Sequence, residues 1–290
     1  MSNTSNLDII RLQIEEAKAV LEKMRPLSPS LLAAIRKPLD IEITHTSNAI
    51  EGNTLTLRET KEVIEHGVTV RGKPLKDHLE AQDHHHALEY MYSLAAQQEV
   101  ISERTVKELH SLVLLRSQHD IAGRYSPAPR IVSGSKTQFP HPLKVPELMH
   151  ELGRELEVMA PVPERAFYAH FRLTRIHPFA DGNGRTARLL MNLILVRGGY
   201  QPIAVRPQDR DDYLDALETA SNDGDIGPFQ ALMHKRLQET MYHYVTLLEE
   251  AHRNQKAMDA METSQTEQRP DGASAASYAA FIASKRERGI

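Results

Sequence analysis

The stretch His177-Pro178-Phe179-Ala180-Asp181-Gly182-Asn183-Gly184-Arg185-Thr186-Ala187-Arg188 joins two helical patterns through a short polar loop. Pro178 ends the first pattern, and the two glycines give the backbone the freedom to turn sharply. A loop that runs directly into a helix points several backbone N–H groups at one place. The positive end of the helix dipole adds to them, so the loop is a ready site for an anion.

Charged and titratable side chains surround this anion site. Arg185 and Arg188 are three positions apart at the start of the second helix, so both guanidinium groups can reach one polyphosphate. Asp181 suits a Mg²⁺ ion that is shared between one carboxylate and phosphate oxygens. His177 is placed to take a proton from an attacking hydroxyl group. Phosphate-ester chemistry needs this combination, because positioning and charge neutralisation do most of the work.

Helical periodicity dominates the rest of the chain and predicts an all-α fold. The exception is segment 123–142, which is rich in Gly, Pro and Ser and carries the β-prone stretch Arg130-Ile131-Val132-Ser133. We expect a small hairpin or loop there. The predicted helices are 7–24, one from near Pro38 to Glu51, 56–66, 75–97, 102–115, 145–159, 163–176, 184–197, 209–220 and 228–253.

Three segments follow from this pattern. We expect an N-terminal helical segment over residues 1–37 and one domain over 38–254, whose first helix covers about 38–52. Beyond about residue 255 the composition turns to Ala, Ser, Gln and Glu, so we expect a polar and mobile tail over 255–290.

The bulk composition is that of an ordinary soluble protein. The 290 residues carry a formal net charge of −4, with 26% charged and 40% hydrophobic residues, which makes nucleic acid an unlikely partner. The absence of cysteine excludes disulfides, thiol catalysis and iron–sulfur clusters. The N-terminus has no secretion-signal pattern, and no apolar run approaches the roughly 20 residues of a membrane span. We therefore expect a cytoplasmic protein without a membrane partner.

The loop resembles the signature of the Fic-domain family, His-Pro-Phe-x-Asp/Glu-Gly-Asn-Gly-Arg-x-x-Arg, with every fixed position present in residues 177–188. The resemblance implies an all-α core with a β-hairpin flap and the transfer of AMP from ATP to a Ser, Thr or Tyr hydroxyl group of a protein. In that scheme His177 is the base and Asp181 holds Mg²⁺ (or Mn²⁺). The backbone of Gly182–Gly184 with Asn183 forms the anion hole, and Arg188 binds the γ-phosphate.

The identity of residue 184 bears on the subclass. Doc-like kinases of the same superfamily carry Lys there and turn the nucleotide around, whereas this chain has Gly184. The resemblance therefore favours adenylylation. Related transferases that use other nucleotide donors keep similar motifs, so another donor stays an open alternative.

A second motif precedes the loop. Ser47-Asn48-Ala49-Ile50-Glu51-Gly52-Asn53 ends a predicted helix with a carboxylate, which the negative end of the helix dipole disfavours unless a cation compensates it. The stretch resembles the Fic inhibitory motif, Ser/Thr-x-x-x-Glu-Gly/Asn, in the N-terminal position typical of class II members. By that resemblance Glu51 pairs with Arg188 and blocks the γ-phosphate, while Ser47 helps to anchor the helix. A resemblance of residues 51–57 to the animal Fic enzyme keeps Glu51-dependent removal of AMP open as a second activity.

Two further sites are expected from the resemblance. Ile131 in the predicted flap would clamp an extended segment of a target protein, which adds to the flap as a β-strand. Tyr213, Leu217 and Asn222 would line the adenine pocket. Self-modification and a homodimer are also expected. A module that binds nucleotide without turnover is the third hypothesis, and the intact loop argues against it.

Overall fold

The computed structural model describes residues 6–97, 99–131, 137–160 and 162–267. Within these residues the chain is helical and contains no β-strand, so the expected all-α class is confirmed. The helices are α1 Asn6–Lys23, α2 Pro29–Ile50, α3 Leu57–His66, α4 Leu75–Ala96, α5 Glu103–Val113, α6 Val145–Val158, α7 Pro163–Ile176, α8 Asn183–Arg197, α9 Arg210–Asn222 and α10 Gly227–Glu267. Short 3₁₀ turns lie at His119–Ile121, Pro142–Lys144 and Pro207–Asp209.

Helix α8 lies at the centre of the packing. Its segment 187–195 is almost continuously apolar and buried, as expected for a helix that is covered on all sides. Helices α7, α4 and α5 pack against it, and α2 contacts both α4 and α8. The loop before α8 is therefore held at the junction of several helices rather than on an open surface.

Helix α2 begins earlier than expected. We predicted a start near Pro38, but the helix begins at Pro29, where the Ser28 hydroxyl accepts a hydrogen bond from the backbone N–H of Leu31 at 3.3 Å. Ser followed by Pro is a favourable helix start, because the proline lacks an N–H that would otherwise be unsatisfied. Pro38 lies inside the helix. The predicted end of the helix at Ile50–Glu51 is confirmed.

The expected flap falls largely outside the described residues. Residues 132–136 of that segment are not described. Beside it, a single antiparallel bridge joins Tyr125 to Phe179, and the Ser126 N–H donates to the Pro178 carbonyl at 2.9 Å. A hairpin is therefore not shown, and the flap stays a prediction.

By its internal contacts the chain divides into two units, Met1–Val245 and Thr246–Ile290. The first unit contains α1 to α9 and the first part of α10. In the second unit the described residues continue α10 to Glu267, fourteen positions beyond the predicted end at residue 253. The rest of the expected tail, 268–290, lies outside the described residues. Among the described residues, no helix is both long and apolar enough to cross a membrane.

Candidate active site

A cleft of about 650 Å³ opens beside the loop of residues 177–184. Its volume lies within the range typical of small-ligand sites. Six of the residues that we predicted for the site line it, namely Glu51, His177, Gly184, Arg188, Tyr213 and Leu217. Two distant parts of the sequence, the end of α2 and the start of α8, therefore meet at one cavity.

The loop itself is held by four consecutive carbonyl groups. The oxygens of Pro178, Phe179, Ala180 and Asp181 each accept a hydrogen bond from a protein donor. These donors are, in order, Ser126 N at 2.9 Å, Asn183 Nδ2 at 2.9 Å, Arg130 Nη2 at 2.6 Å and His110 Nε2 at 2.9 Å. Because its carbonyl groups are engaged, the backbone of the loop is held in a defined conformation.

The N-terminus of α8 has the backbone N–H groups that the predicted anion site requires. The first backbone bond inside the helix runs from Thr186 N to Gly182 O at 3.0 Å, so the N–H groups of residues 183–185 precede it. Gly182 has a φ of +75°, a conformation that glycine adopts without strain. The Asn183 side chain bonds the N–H and carbonyl of Phe179, both at 2.9 Å. In this structure it fixes the loop, while its backbone belongs to the anion site.

The surroundings of His177 favour one neutral tautomer of its ring. Its Nδ1 lies 3.3 Å from the carbonyl oxygen of Thr174, which can only accept, so Nδ1 carries the proton and Nε2 keeps its lone pair. The Phe139 ring packs against the imidazole with centroids 4.4 Å apart. Burial lowers the pKa of His177 below its ordinary value, with a contribution from the charge of Arg130, although the bond to Thr174 opposes the shift. The neutral, proton-accepting form is therefore favoured.

Asp181 is a charged carboxylate beside the loop. Its Oδ1 accepts from the Gly182 N–H at 2.6 Å, and Gln118 Nε2 bonds Oδ2. Burial alone would raise the pKa of Asp181, but the Arg185 charge and these hydrogen bonds hold it below its ordinary value. No group of three or more candidate ligands occurs among the described residues. The donor set fits a Mg²⁺ ion that takes one carboxylate from the protein and its other ligands from phosphate and water.

Arg185 does not face the cleft. Its side chain is 1% exposed, with Nη2 3.2 Å from Asp181 Oδ1 and Nη1 3.3 Å from Glu80 Oε1. We expected Arg185 and Arg188 to reach one polyphosphate together, and this placement supports that role for Arg188 alone. The spacing of three positions does place both arginines on one face of α8. That face is buried, however, and the Glu80 carboxylate of α4 pairs with Arg185.

Arg188 is held by several groups at once. Its Nη2 donates to Glu51 Oε1 at 2.7 Å and to the Ser47 carbonyl at 2.8 Å, and its Nε donates to Ser47 Oγ at 2.9 Å. Arg188 is buried, while the Glu51 side chain is 36% exposed. A Cβ atom at Gly184 would overlap Glu51 Oε1 and lie 3.0 Å from Arg188 Nη1. Glycine at 184 is thus what lets the Glu51 carboxylate approach the loop.

Of the three residues expected around adenine, two line the cleft. Leu217 lines the cleft, together with Leu214 and Ser221, whereas Asn222 is exposed and does not line it. Tyr213 is 1% exposed, and its hydroxyl group accepts from Arg188 Nη1 at 3.3 Å. On α9 it is Ser221, one position earlier, that lines the cleft, and the role of Asn222 at adenine stays a prediction.

Behind Tyr213 lies a neutral histidine. The Tyr213 hydroxyl is 2.9 Å from His170 Nε2. Burial and the charge of Arg188 lower the pKa of His170 to about 3, so the ring is neutral. The Tyr213 hydroxyl, which accepts from Arg188, can donate its own hydrogen bond to His170 Nε2. Tyr213 and His170 thus support Arg188 in addition to its contacts with α2.

Other positions complete the description of the site. Ile131 is 88% exposed, as a residue that contacts a partner would be, although its neighbours 132–136 are not described.

His110, Gln118 and Arg130 also contact the loop but were not predicted from the sequence. His110 stacks on Phe179 with centroids 3.6 Å apart. No local spacing marks these residues, since each reaches the loop from more than forty positions away.

Fold and site together define a helical domain in which a polar loop at a helix N-terminus lies beside a buried histidine. Residues 100–195 match the model of the Fic/DOC family. The chain therefore carries a Fic domain of the Fic/DOC family.

Solved structures and curated relatives agree with this assignment. A Fic-domain-containing signaling protein from Bacteroides thetaiotaomicron superimposes with a TM-score of 0.74 at 28% identity, over 82% of this chain and 97% of that one. "Protein adenylyltransferase Fic" from Nematostella vectensis is 38% identical over 237 residues, 80% of this chain and 55% of the relative. "Protein adenylyltransferase fic-1" from Caenorhabditis elegans is 32% identical over 222 residues, 75% of this chain and 43% of the relative. The chain thus spans about half the length of these two curated relatives.

Proposed function

We propose that this protein transfers AMP from ATP to hydroxyl groups of protein side chains and that Glu51 holds the site inactive. The observation that carries the proposal is the cleft that brings the His177 base, the Arg188 cation and the start of α8 together. Relatives named protein adenylyltransferase, at 31–38% identity, support the class of reaction. ATP is the co-substrate that this reaction requires.

The proposed reaction is a displacement at the α-phosphate. His177 Nε2 accepts the proton of a target hydroxyl group as its oxygen attacks phosphorus. The new P–O bond forms while the bond between the α- and β-phosphates breaks, and pyrophosphate leaves with the electron pair. The N–H groups at the start of α8 stabilise the charge on the phosphate oxygens. Arg188 binds the terminal phosphate and so fixes which phosphorus faces the base.

Asp181 is the residue that we assign to Mg²⁺. When bound there, the ion would neutralise phosphate charge during the displacement. The support for this assignment is the charged state of Asp181 and its position next to the anion site. The chain's own contribution is to keep that carboxylate ionised and oriented through Gln118 and the Gly182 N–H.

The contact between Glu51 and Arg188 supports autoinhibition. A γ-phosphate and the Glu51 carboxylate are both anions, and both require the same guanidinium group. While Glu51 occupies Arg188, ATP can bind only in a pose in which its terminal phosphate lies elsewhere. We assign Glu51 and Ser47 to an inhibitory end of α2, as in class II Fic proteins.

The test compares three chains that are incubated with α-labelled ATP and Mg²⁺, alone and with cell extract. Glu51→Gly should label itself or other proteins at least about tenfold faster than the wild type, which corresponds to about 1.4 kcal/mol of released inhibition. The double variant Glu51→Gly/His177→Ala should show no labelling. Equal, base-independent labelling of all three chains would refute the proposal.

Removal of AMP from a modified protein is the second candidate. Glu51 and His177 line the same cleft, so the Glu51 carboxylate could orient a water molecule for attack on a phosphodiester. A pre-labelled target distinguishes the two activities. Release of AMP that depends on Glu51 and exceeds the forward labelling rate would favour the hydrolase.

We also propose that the segment around the exposed Ile131 docks the target. An extended target chain at this position would present its hydroxyl group to His177, because Arg130 bonds the loop carbonyl of Ala180 directly. Ile131→Ala should then slow modification of a separate target more than it slows hydrolysis of ATP. Equal effects on both rates would contradict this docking site.

A further inference from the structure

Glu80 of α4 joins two parts of the site through one carboxylate. Its Oε2 accepts a hydrogen bond from Asn53 Nδ2 at 3.1 Å, and its Oε1 lies 3.3 Å from Arg185 Nη1. Asn53 is two residues beyond Glu51, where the chain leaves α2. The Glu80 side chain is 8% exposed. The segment behind the inhibitory carboxylate and the first arginine of α8 therefore have a buried partner in common.

Arg185 in turn is shared between two carboxylates. Its side chain is 1% exposed, and besides Glu80 it contacts Asp181 at 3.2 Å. A second cation near Glu80 is Lys76 at 3.4 Å, but the Lys76 side chain is 57% exposed and its charge is screened by solvent. Because Arg185 is shielded from water, its guanidinium group is attracted strongly to both carboxylates. The ion pair with Glu80 therefore competes with the ion pair with Asp181.

We propose that Glu80 is a positioning residue that couples the inhibitory segment to the divalent-cation site. By drawing Arg185 toward α4, Glu80 limits how strongly Arg185 neutralises Asp181, and so keeps that carboxylate available to a cation. Through Asn53 the same side chain fixes the segment that carries Glu51. This inference rests on the proposed function, since it assigns Asp181 to the cation and Glu51 to inhibition.

The charge-neutral variant Glu80→Gln changes both contacts, and the presence or absence of Glu51 distinguishes their effects. In that variant Asp181 is the only charged partner of Arg185 among the described residues, so a divalent cation must compete with an undivided ion pair. In a Glu51→Gly chain, where inhibition is absent, the Mg²⁺ concentration for half-maximal binding of a non-hydrolysable fluorescent ATP analogue should rise roughly three- to tenfold. Binding of the analogue without metal should not change there. These readouts require no turnover.

The contact between Glu80 and Asn53 is tested in the chain that keeps Glu51. There Glu80→Gln should raise metal-free binding of the analogue severalfold, because the anchor of Asn53 is weakened. Asn53→Ala should give at least this rise, since it also removes the bond from Asn53 Nδ2 to the Asp77 carbonyl at 3.0 Å, and should leave the Mg²⁺ requirement of the Glu51→Gly chain unchanged. Should Glu80→Gln not fold, as judged by its thermal transition, Glu80→Asp and Asn53→Ala test the same two contacts.

The matched control is Glu89→Gln, which removes an exposed carboxylate from the same helix. If Glu80→Gln and Glu89→Gln bind Mg²⁺ with the analogue equally well, within about twofold, the coupling is refuted. Failure of the proposed function would look different. In that case the Glu51→Gly chain would not transfer AMP, although its Mg²⁺ dependence would still respond to Glu80.

Discussion

At the scale of single residues, the environment of His177 fixes how activity depends on pH. Burial lowers the pKa of His177 from the ordinary value of 6.5, so the ring loses its proton at a lower pH than a free imidazole. Activity that needs the neutral base is lost as the pH falls through this lowered pKa and is constant above it. We expect kcat/KM of the Glu51→Gly chain to have an acidic midpoint below 6.5.

That profile is measured as the initial rate of AMP transfer at fixed ionic strength, with a second series that confirms saturation by Mg²⁺. An acidic midpoint clearly above 6.5 would mean that another group limits the rate, and a loss of activity as the pH rises through this range would mean that His177 acts in its protonated form. Either result would contradict the arrangement in which Nδ1 donates to Thr174 and Nε2 accepts the proton.

Because its hydroxyl group contacts Arg188, we expect Tyr213 to support that guanidinium group rather than the nucleobase. Its hydroxyl lies between Arg188 and the neutral His170. In the Glu51→Gly chain, Tyr213→Phe should raise KM for ATP roughly two- to tenfold, since a bond as long as 3.3 Å contributes no more than a typical hydrogen bond, about 0.5–1.5 kcal/mol. The value of kcat should change less, because His177 is untouched.

Steady-state kinetics with ATP as the varied substrate check this prediction. Tyr168→Phe is the matched control, since its hydroxyl bonds Glu155 on α6 at 3.0 Å and does not line the cleft. A Tyr213→Phe variant with the KM of this control would show that Arg188 needs no support from α9.

At the scale of elements, the loop depends on helix α5 for its shape. His110 stacks on Phe179, receives a hydrogen bond from the Gly123 N–H at 2.9 Å and donates to the Asp181 carbonyl. His110→Phe preserves the stacking and removes both hydrogen bonds. Each buried group left unsatisfied costs about 1–3 kcal/mol, so the free energy of unfolding should fall and kcat should drop at least about tenfold.

Urea unfolding and the rate of AMP transfer by the folded variant, in the Glu51→Gly background, measure the two effects separately. An unchanged kcat in a destabilised protein would contradict a role in shaping the loop and leave His110 a packing residue. The pKa of His110 is lowered by burial to about 4, so the hydrogen-bond pattern persists throughout the neutral range.

The loop and the helices around it also show how much of the site could be predicted from the sequence. The loop and its flanking helices are contiguous in the sequence. Their residue types alone were therefore enough to predict His177, Asp181 and the start of α8 as parts of one site. The pairing of Glu51 with Arg188 came from a motif. The burial of Arg185 against Glu80, and the engagement of the loop carbonyls by His110 and Arg130, depend on how distant helices pack, which no local spacing encodes.

At the scale of the molecule, the proposed inhibition joins two distant segments at one site. Helix α2 ends where α8 begins, and the only charged partner of Arg188 among the described residues is the Glu51 carboxylate. Under the proposal this carboxylate must leave before a phosphate can bind. The Ser47 and Tyr213 contacts of Arg188 do not involve Glu51. We therefore expect activation to require displacement of one side chain, which is 36% exposed, without rearrangement of the fold.

The most direct measurement of the central claim compares two labels on the Glu51→Gly chain. Parallel incubations with α-labelled and γ-labelled ATP are followed by denaturation and counting of protein-bound label. Transfer of AMP predicts that the α label is retained on protein, that the γ label is released with pyrophosphate, and that His177→Ala abolishes both signals. Retention of the γ label would identify a phosphate transfer instead, and retention of neither label would contradict the account.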